Sequence, residues 1–380
     1  MSKIEPFKEK IYVTRPVFPS LEEVTETLRE IWESKWLTNG GKQHFALEDE
    51  LKEFLKVPYL SVFNNGTIAL MVAVQSLRLQ GDVITTPFTF AATPHVLSWN
   101  NINPIFCDID EDTMNIDADK IESMITPRTS AILAVHVFGT PCNVKKIQQV
   151  ADTYGLKVVY DAAHAFGVEI DGQGIGTFGD ISMFSFHATK LYHTLEGGAL
   201  VFADKNLKQR IDLLRNFGIK NEEEVVMPGI NGKLDEVRAA VGRIMLGYVE
   251  SEQAKRLALH KVYDEELSDV AGITLMPKCG DNVKRNYQYY VIRIDEKVFG
   301  KSRDYVYDEL KKYNVYTRKY FHPLCSDYTC YRQLNSSRED NLPVATVIGK
   351  QVLSLPMYGD LTADDVRRIC AMIKEIASSK

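Results

Sequence analysis

The chain has 380 residues, which is long enough for one large domain and a smaller one around a sizeable core. Its apolar fraction of 45% and charged fraction of 25% are ordinary for a globular protein. A formal net charge of −6 gives no general attraction for nucleic acid or for an anionic membrane surface, so we predict neither partner.

The N-terminus and the cysteines further restrict the class of protein and its expected location. The first ten residues carry charges where a signal peptide needs an apolar core, and no later apolar run approaches the length of a membrane span. This pattern predicts a cytoplasmic protein. The six cysteines include no C-x-x-C pair and no zinc-type histidine spacing, so we expect reduced thiols and no metal site.

The first predicted element is a helix that begins at a capping box. Ser20 and Glu23 have the required spacing, and apolar residues follow at helical intervals to about Lys35. The next segment, residues 36–41, ends in two glycines that permit close approach of the backbone to another group. This segment either lines a substrate site or forms a simple turn.

From Tyr59 onward, short apolar runs alternate with helical segments. The strand-like runs are residues 59–63, 83–86, 105–107, 131–135, 158–160, 181–186 and 199–202, and the clearest helices are residues 68–77 and 143–154. Such alternation predicts an α/β domain with a mainly parallel sheet.

The sequence changes in character after about residue 250. Charged helices follow, with one isolated strand-like run at residues 287–294 and further segments at residues 301–313, 315–318, 343–350 and 362–376. We therefore predict a large α/β domain over residues 1–250, including an N-terminal arm, and a smaller α+β domain over residues 251–380.

One lysine stands out between two predicted strands. Lys190 lies in a polar turn after the run at residues 181–186 and before the run that begins at Ala199. A lysine at a buried strand end loses hydration, which favours its neutral amine and makes it a nucleophile toward a carbonyl. The alternative is an ordinary loop lysine that faces solvent.

Two segments are candidates for binding a phosphate group. Asn65, Gly66 and Thr67 lie where a strand gives way to a helix, so backbone N–H groups, a hydroxyl and the helix dipole can converge there. Ser185, near the end of a predicted strand, offers a second hydroxyl. A glycine in such a position also occurs in turns that bind nothing.

Three further side chains suit an aromatic cofactor. Asp161 follows a predicted strand and can pair with a protonated ring nitrogen, while His164 can reach an oxygen on the same ring. Phe90 can offer a flat face for stacking. The alternatives are a helix-capping aspartate, a core histidine and a core phenylalanine.

A phosphate site, a stacking ring, an aspartate for a pyridine nitrogen and a lysine for an aldehyde are together the requirements of pyridoxal 5'-phosphate (PLP). In open α/β sheets such groups meet beyond the carboxyl ends of the strands. Asp161 would keep the ring electron-poor, and Lys190 would carry the proton that leaves the substrate carbon. These steps amount to transamination.

The same residues carry a family resemblance. The chain resembles the nucleotide-sugar aminotransferases of the DegT/DnrJ type over nearly its whole length, from Ile11 to the final helix. The motifs are Asn65-Gly-Thr67, Thr89-Phe-Ala-Ala-Thr93, Asp161-Ala-Ala-His164, Ser185-Phe-His-Ala-Thr-Lys190, Glu196-Gly-Gly198 and Gly229-Ile-Asn-Gly-Lys-Leu-Asp-Glu236. The resemblance implies a PLP-dependent transferase of fold type I that works as a homodimer, with L-glutamate as the amino donor.

Individual roles follow from the family pattern. It assigns Lys190 to the covalent bond with the cofactor, Asp161 to the ring nitrogen, His164 to the phenolic oxygen and Ser185 to the phosphate. It also implies that Asn231 reaches the phosphate in the neighbouring subunit's site.

The resemblance also implies a substrate class. Relatives that act as sugar dehydratases carry histidine in place of Lys190, which disfavours that activity. The chain is most similar to viosamine-forming members, which aminate C4 of dTDP-4-keto-6-deoxyglucose. Candidate sugar-nucleotide ligands are His187, Arg318, Tyr320 and His322, although a packed histidine and a solvated charge run are the alternatives.

Other functions remain open at this stage. The same chemistry on a C3-keto dTDP sugar, or on a GDP- or UDP-linked sugar, fits the same motifs. A regulator that binds PLP without turnover is a second alternative. A nicotinamide-linked oxidoreductase ranks far lower, because no G-x-G-x-x-G follows the first strand.

Overall fold

The computed structural model describes residues 4 to 379. Its α-helices are α1 (Leu21–Ser34), α2 (Lys42–Leu55), α3 (Gly66–Ser76), α4 (Ala92–Trp99), α5 (Val144–Tyr154), α6 (Lys205–Leu214), α7 (Glu236–Leu246), α8 (Val249–Leu267), α9 (Glu296–Phe299), α10 (Arg303–Lys312), α11 (Pro343–Gln351) and α12 (Ala363–Ser378).

The strands of the described part are β1 (Ile11–Tyr12), β2 (Tyr59–Phe63), β3 (Asp82–Thr85), β4 (Asn103–Phe106), β5 (Thr129–Val135), β6 (Lys157–Asp161), β7 (Glu169–Ile170), β8 (Gln173–Gly174), β9 (Ile181–Ser185), β10 (Gly198–Phe202), β11 (Ile273–Thr274), β12 (Val283–Lys284), β13 (Tyr290–Ile294), β14 (Val315–Tyr316) and β15 (Val352–Leu355).

A seven-stranded sheet forms the centre of the molecule, in the order β2-β10-β9-β6-β5-β3-β4. Strand β10 runs antiparallel to both neighbours, and the other neighbouring pairs are parallel. The prediction of a mainly parallel sheet is therefore confirmed. The carboxyl ends of β2, β3, β5, β6 and β9 meet at one edge, which is where ligands bind in open α/β sheets.

Burial explains why these strands read as continuous apolar runs. All residues of β3 and β10 are buried, because helices cover both faces of the sheet. Helix α3 is buried along most of its length and packs against β9 and β10. Its first residue, Gly66, is thereby fixed at the carboxyl edge of the sheet.

Capping signals in the sequence correctly predicted where several helices begin and end. The side chain of Ser20 accepts a hydrogen bond from the N–H of Glu23, which completes the predicted capping box of α1. Helix α5 begins after Asn143 and is terminated by Gly155. Gly155 has a φ of +66°, which glycine adopts without strain because it has no Cβ. The run predicted at residues 287–294 is shorter, because Tyr287 has a φ of +54° and strand β13 begins only at Tyr290.

The C-terminal part contains an antiparallel sheet in the order β11-β13-β15, packed with α8, α10 and α12 around a second core. The chain's first described residues join this core: Phe7 is buried in it, and β1 pairs with β14. The division at residue 250 stays a prediction, and α8 begins at Val249.

Two further observations concern the described residues as a whole. No helix there combines the length and the apolar composition that crossing a bilayer requires. The six cysteines form no disulfide, and Cys107, Cys142, Cys325 and Cys370 are buried.

Candidate active site

A cavity of about 290 Å³ opens at the carboxyl edge of the central sheet. Its walls come from the ends of β5, β6 and β9, from the N-terminus of α3 and from two C-terminal segments that contribute Tyr289 and Tyr320. Nine of the predicted site residues line it: Gly66, Thr67, Phe90, Asp161, His164, Ser185, His187, Lys190 and Tyr320. Residues far apart in the sequence therefore meet at one place.

The first wall is the N-terminus of α3. The side chain of Asn65 caps the helix by accepting a hydrogen bond from the N–H of Ile68 at 2.8 Å. The first helical residues, Gly66 and Thr67, face the cavity beside Ser185. Unpaired N–H groups of a helix end and two hydroxyls together favour an anion such as a phosphate.

Glycine at position 198 makes this wall possible. Gly198 begins β10 and pairs with Ser185 on one side and Phe63 on the other. A Cβ on Gly198 would lie 2.7 Å from Cα of Gly66 and 2.8 Å from its nitrogen. The α3 N-terminus can therefore approach the sheet only because residue 198 has no side chain.

Asp161 ends β6 and is 4% exposed. One carboxylate oxygen accepts a hydrogen bond from the Thr93 hydroxyl at 2.8 Å, and the other accepts one from the Ala163 N–H at 3.0 Å. Burial raises the pKa of this carboxyl, and the two hydrogen bonds and the Lys190 charge oppose that rise. The side chain is thus fixed in orientation but poorly solvated.

His164 lies on the same wall and is also buried. Burial, together with the nearby Lys190 charge, holds the pKa of its imidazole well below the usual value. Its Nδ1 accepts a hydrogen bond from the Phe138 N–H at 3.2 Å, so the neutral ring carries its proton on Nε2. That tautomer provides a hydrogen-bond donor on the ring's other edge.

Lys190 lies in the turn after β9, five residues beyond the end of that strand, and is half-buried. The sequence predicted a buried strand-end position, and the intervening turn accounts for the greater exposure. Its Nζ donates a hydrogen bond to the Tyr289 hydroxyl at 3.3 Å. The amine therefore faces the cavity opposite a residue of the C-terminal part.

Phe90 is 62% exposed and lines the mouth of the cavity, so it is not a core residue. Its ring is free to stack on a planar ligand. His187 is also exposed at the mouth, where its Nε2 lies 3.5 Å from a Glu196 carboxylate oxygen. Tyr320 closes the opposite side, edge-to-face with Tyr289.

Three predicted site residues do not line this cavity. Arg318 is exposed, and its backbone pairs with Ser354; His322 is exposed a few residues further on. Asn231 is exposed as well, and its side-chain oxygen accepts a hydrogen bond from Lys233 at 3.0 Å. Their predicted contacts with a sugar nucleotide or with a neighbouring subunit stay predictions.

The segment at residues 36–41 also lies away from the cavity. The buried carboxylate of Glu236 accepts hydrogen bonds from the N–H groups of Gly41, Gln43 and His44 at 2.8–3.1 Å. Helix α2 is capped in this way by a residue of α7. A Cβ on Gly41 would lie 2.5 Å from that carboxylate, so a larger residue there would displace the Glu236 side chain.

The structure adds site residues that sequence reasoning missed. Thr93 anchors Asp161, Tyr289 contacts Lys190, and Glu196 and Phe321 line the cavity. Thr93 and Glu196 belong to motifs that the sequence analysis had already noted. The sequence could therefore have identified both as site residues. Phe321 lies between the candidates Tyr320 and His322, so its position was also a signal, whereas no predicted motif marks Tyr289.

Comparison with known proteins supplies the family. The family model described as the DegT/DnrJ/EryC1/StrS aminotransferase family matches residues 20–374. A dTDP-4-amino-4,6-dideoxy-D-glucose transaminase of Escherichia coli is 47% identical over 96% of this chain and 98% of its own length. A protein of Shigella dysenteriae with the same name is 44% identical over 97% of this chain and 100% of its own length.

A solved structure shares the whole architecture. DesI, crystallised in the presence of its TDP-sugar product, is 36% identical and superposes with a TM-score of 0.93 over 98% of this chain and 94% of its own. The expected fold type I architecture is therefore confirmed. The chain belongs to the DegT/DnrJ/EryC1/StrS aminotransferase family, whose members depend on PLP.

Proposed function

We propose that this protein transfers an amino group from L-glutamate to C4 of dTDP-4-keto-6-deoxyglucose, giving dTDP-4-amino-4,6-dideoxy-D-glucose. The observation that carries the proposal is one cavity lined by Lys190, by the buried Asp161 carboxylate and by the N-terminus of α3, which suits an anion. This combination suits PLP and the removal of a proton from an amino-bearing carbon.

The residues present fit the cofactor. A carboxylate as buried as Asp161 is unfavourable without a cationic partner, and within residues 4–379 no cation lies at ion-pair distance from it. A protonated pyridine nitrogen would supply that partner. Gly66, Thr67 and Ser185 would hold the phosphate, and Gly198, which has no Cβ, allows the Gly66 backbone to lie close to β10.

When bound, PLP supplies an electron-accepting ring that stabilises the negative charge left on the substrate carbon. Asp161 would maintain the positive charge of a bound ring through its fixed, hydrogen-bonded carboxylate. His164 would offer its Nε2–H as a hydrogen-bond donor to an oxygen on that ring. Lys190, held at the cavity wall, would accept the proton that leaves the substrate carbon and later give it back.

The substrate assignment is supported by the full-length relatives. Two proteins that match at least 96% of this chain carry the name dTDP-4-amino-4,6-dideoxy-D-glucose transaminase. DesI, named with a TDP-sugar product, has the same architecture. His187 and Tyr320, at the cavity mouth, are our candidates for contacts with the sugar, with Arg318 and His322 as outer ligands of the nucleotide.

We further propose that the protein works as a homodimer in which Asn231 serves the neighbouring site. Asn231 lies outside its own chain's cavity and is exposed. It follows a loop whose apolar side chains Phe217, Ile219, Val225 and Val226 are 41–69% exposed. Apolar side chains so exposed favour burial against another surface, and a second copy supplies one.

The test is an assay of the purified protein with L-glutamate and a panel of keto-sugar nucleotides. We expect 2-oxoglutarate release with dTDP-4-keto-6-deoxyglucose, and an amine at C4 in the NMR spectrum of the product. Faster turnover of a C3-keto, GDP-linked or UDP-linked sugar would replace this substrate assignment. PLP binding without any 2-oxoglutarate release would instead support the regulator.

A further inference from the structure

The lysine turn is held by a segment of the C-terminal part, residues 286–289, which we call the strap. The carboxamide of Asn286 donates hydrogen bonds to the backbone oxygens of His164 and Phe166 at 2.8 and 3.1 Å. Gln288 is fully buried and accepts a hydrogen bond from the N–H of Leu191 at 3.2 Å. The strap therefore binds both loops that carry the proposed catalytic groups.

The strap itself is fixed from behind by α8. Arg256, which is 2% exposed, donates a hydrogen bond to the backbone oxygen of Gln288 at 3.2 Å. His260 donates one to the backbone oxygen of Tyr289 at 3.0 Å. Backbone oxygens held by buried donors leave the neighbouring side chains little freedom to move.

Tyr289 ends the strap inside the cavity. Its side chain is 5% exposed, its ring centroid lies 4.7 Å from that of His164, and its hydroxyl accepts the hydrogen bond from Lys190 Nζ at 3.3 Å. A lysine has several rotatable bonds and loses considerable rotamer entropy when it is held in one conformation. A rigid partner lowers that cost at the moment of reaction.

We propose that Tyr289 is a positioning residue that holds the Lys190 amine toward the cavity whenever this amine is not bonded to the cofactor, and that the strap keeps Tyr289 in place. The inference rests on the proposed role of Lys190. It adds a positioning residue from the C-terminal part to a site whose proposed catalytic groups lie at or just beyond the ends of central strands. No bond is made or broken by the tyrosine.

The experiment follows the capture of PLP by the full-length protein freed of cofactor, using the absorbance change of the lysine-bound form. Tyr289→Phe removes the hydroxyl and keeps the ring. We expect capture about tenfold slower than in the wild type, as for the loss of one ordinary hydrogen bond. Tyr290→Phe is the matched control, because its hydroxyl binds Asp264 instead.

The Lys190→Ala background separates positioning of the lysine from direct contact with the cofactor. There PLP binds without a covalent bond, so Tyr289→Phe should leave its affinity unchanged. If Tyr289→Phe weakened PLP binding about tenfold in the Lys190→Ala background, the inference would be overturned. It would also be overturned if Tyr289→Phe and the wild type captured PLP at the same rate. Wild-type protein that captures no PLP would instead overturn the proposed function.

A second variant covers the case in which Tyr289→Phe does not fold. Gln288→Leu removes the acceptor of the Leu191 N–H and keeps similar volume. We expect it to slow PLP capture as well, with unchanged affinity in the Lys190→Ala background. Capture at the wild-type rate would overturn the role of the strap.

Discussion

At the scale of single residues, Asp161 is the group whose environment most constrains the chemistry. Burial raises the pKa of its carboxyl, and hydrogen bonds from Thr93 and the Ala163 N–H oppose the rise. An amide at this position would keep the shape and lose the charge. Removing one partner of a buried ion pair costs about 3–5 kcal/mol, and a loss of that size in the transition state corresponds to more than about a hundredfold in rate.

We therefore expect Asp161→Asn to lose at least about a hundredfold in the glutamate half-reaction while Lys190 still binds PLP. Stopped-flow absorbance with L-glutamate measures this rate. Asp264→Asn, at a carboxylate bonded to Tyr290 outside the cavity, is the control. A half-reaction in Asp161→Asn as fast as in the control would contradict the role of the carboxylate.

The sequence predicted the positions of site residues correctly where these residues follow the ends of strands. Gly66, Asp161 and Ser185 were placed correctly at one edge because carboxyl ends of parallel strands meet there. It failed for Tyr289, which contacts a lysine 99 residues earlier in the chain. That contact depends on how the C-terminal part packs against the central sheet, and no local pattern encodes such packing.

At the scale of elements, the junction of β10 with the start of α3 decides how closely the proposed phosphate-binding residues Gly66, Thr67 and Ser185 lie to one another. A Cβ on residue 198 would meet the Gly66 backbone at 2.7 Å, and backbone cannot yield as a flexible side chain can. The α3 N-terminus would have to move away from Ser185. The anion-binding groups would then no longer converge.

Gly198→Ala should accordingly weaken PLP binding by about tenfold or more, as expected when one or two charge-assisted hydrogen bonds to the phosphate are lost. Equilibrium titration with PLP gives the affinity. Gly247→Ala is the matched glycine control, because its φ of −64° is ordinary and the nearest atom to its Cβ lies at 3.4 Å. Equal affinities in the two variants would refute this account of the wall.

The boundaries of the elements that the sequence predicted lie within a few residues of the observed ones, with one informative exception. Capping signals located α1 and α5, and apolar runs located the central strands. The run at residues 287–294 was too long because its first residues form the strap. Tyr287 and Tyr289 are aromatic and two residues apart, so they continue the pattern of a strand although they belong to the strap.

At the scale of the whole molecule, the proposed dimer predicts complementation between two defective chains. Lys190→Ala removes the amine, and Asn231→Asp places a negative charge where the neighbour's phosphate would bind. A mixed dimer then has one site with both defects and one with neither.

Random mixing should restore about a quarter of the wild-type sites, since half of the dimers are mixed and each has one intact site. The turnover rate of the mixture measures the fraction of active sites that is restored. Native mass spectrometry measures the fraction of dimers that are mixed. Activity equal to the sum of the separate proteins, despite mixed dimers, would show that Asn231 serves its own chain.

Buried histidines predict the pH dependence of stability. Burial lowers the pKa of His136 and of His260 from 6.5 to about 3. Below pH 6.5 the unfolded imidazoles bind protons while the folded ones stay neutral, so this contribution to stability is present above pH 6.5 and is lost as the pH falls. Each histidine contributes a slope of up to about 1.4 kcal/mol per pH unit.

Urea unfolding between pH 6.5 and 5 should show this decline in the free energy of unfolding. His136→Gln should make the decline shallower by up to about 1.4 kcal/mol per pH unit. A variant with the same slope as wild type would mean that His136 is not a neutral buried base.

The central claim is that one amine, that of Lys190, bonds to PLP. Borohydride reduction of the purified protein, followed by proteolysis and mass spectrometry of the peptides, tests it most directly. The account predicts a reduced pyridoxyl group on the peptide that contains Lys190 and no such group in Lys190→Ala. A label on a different lysine, or on none, would contradict it.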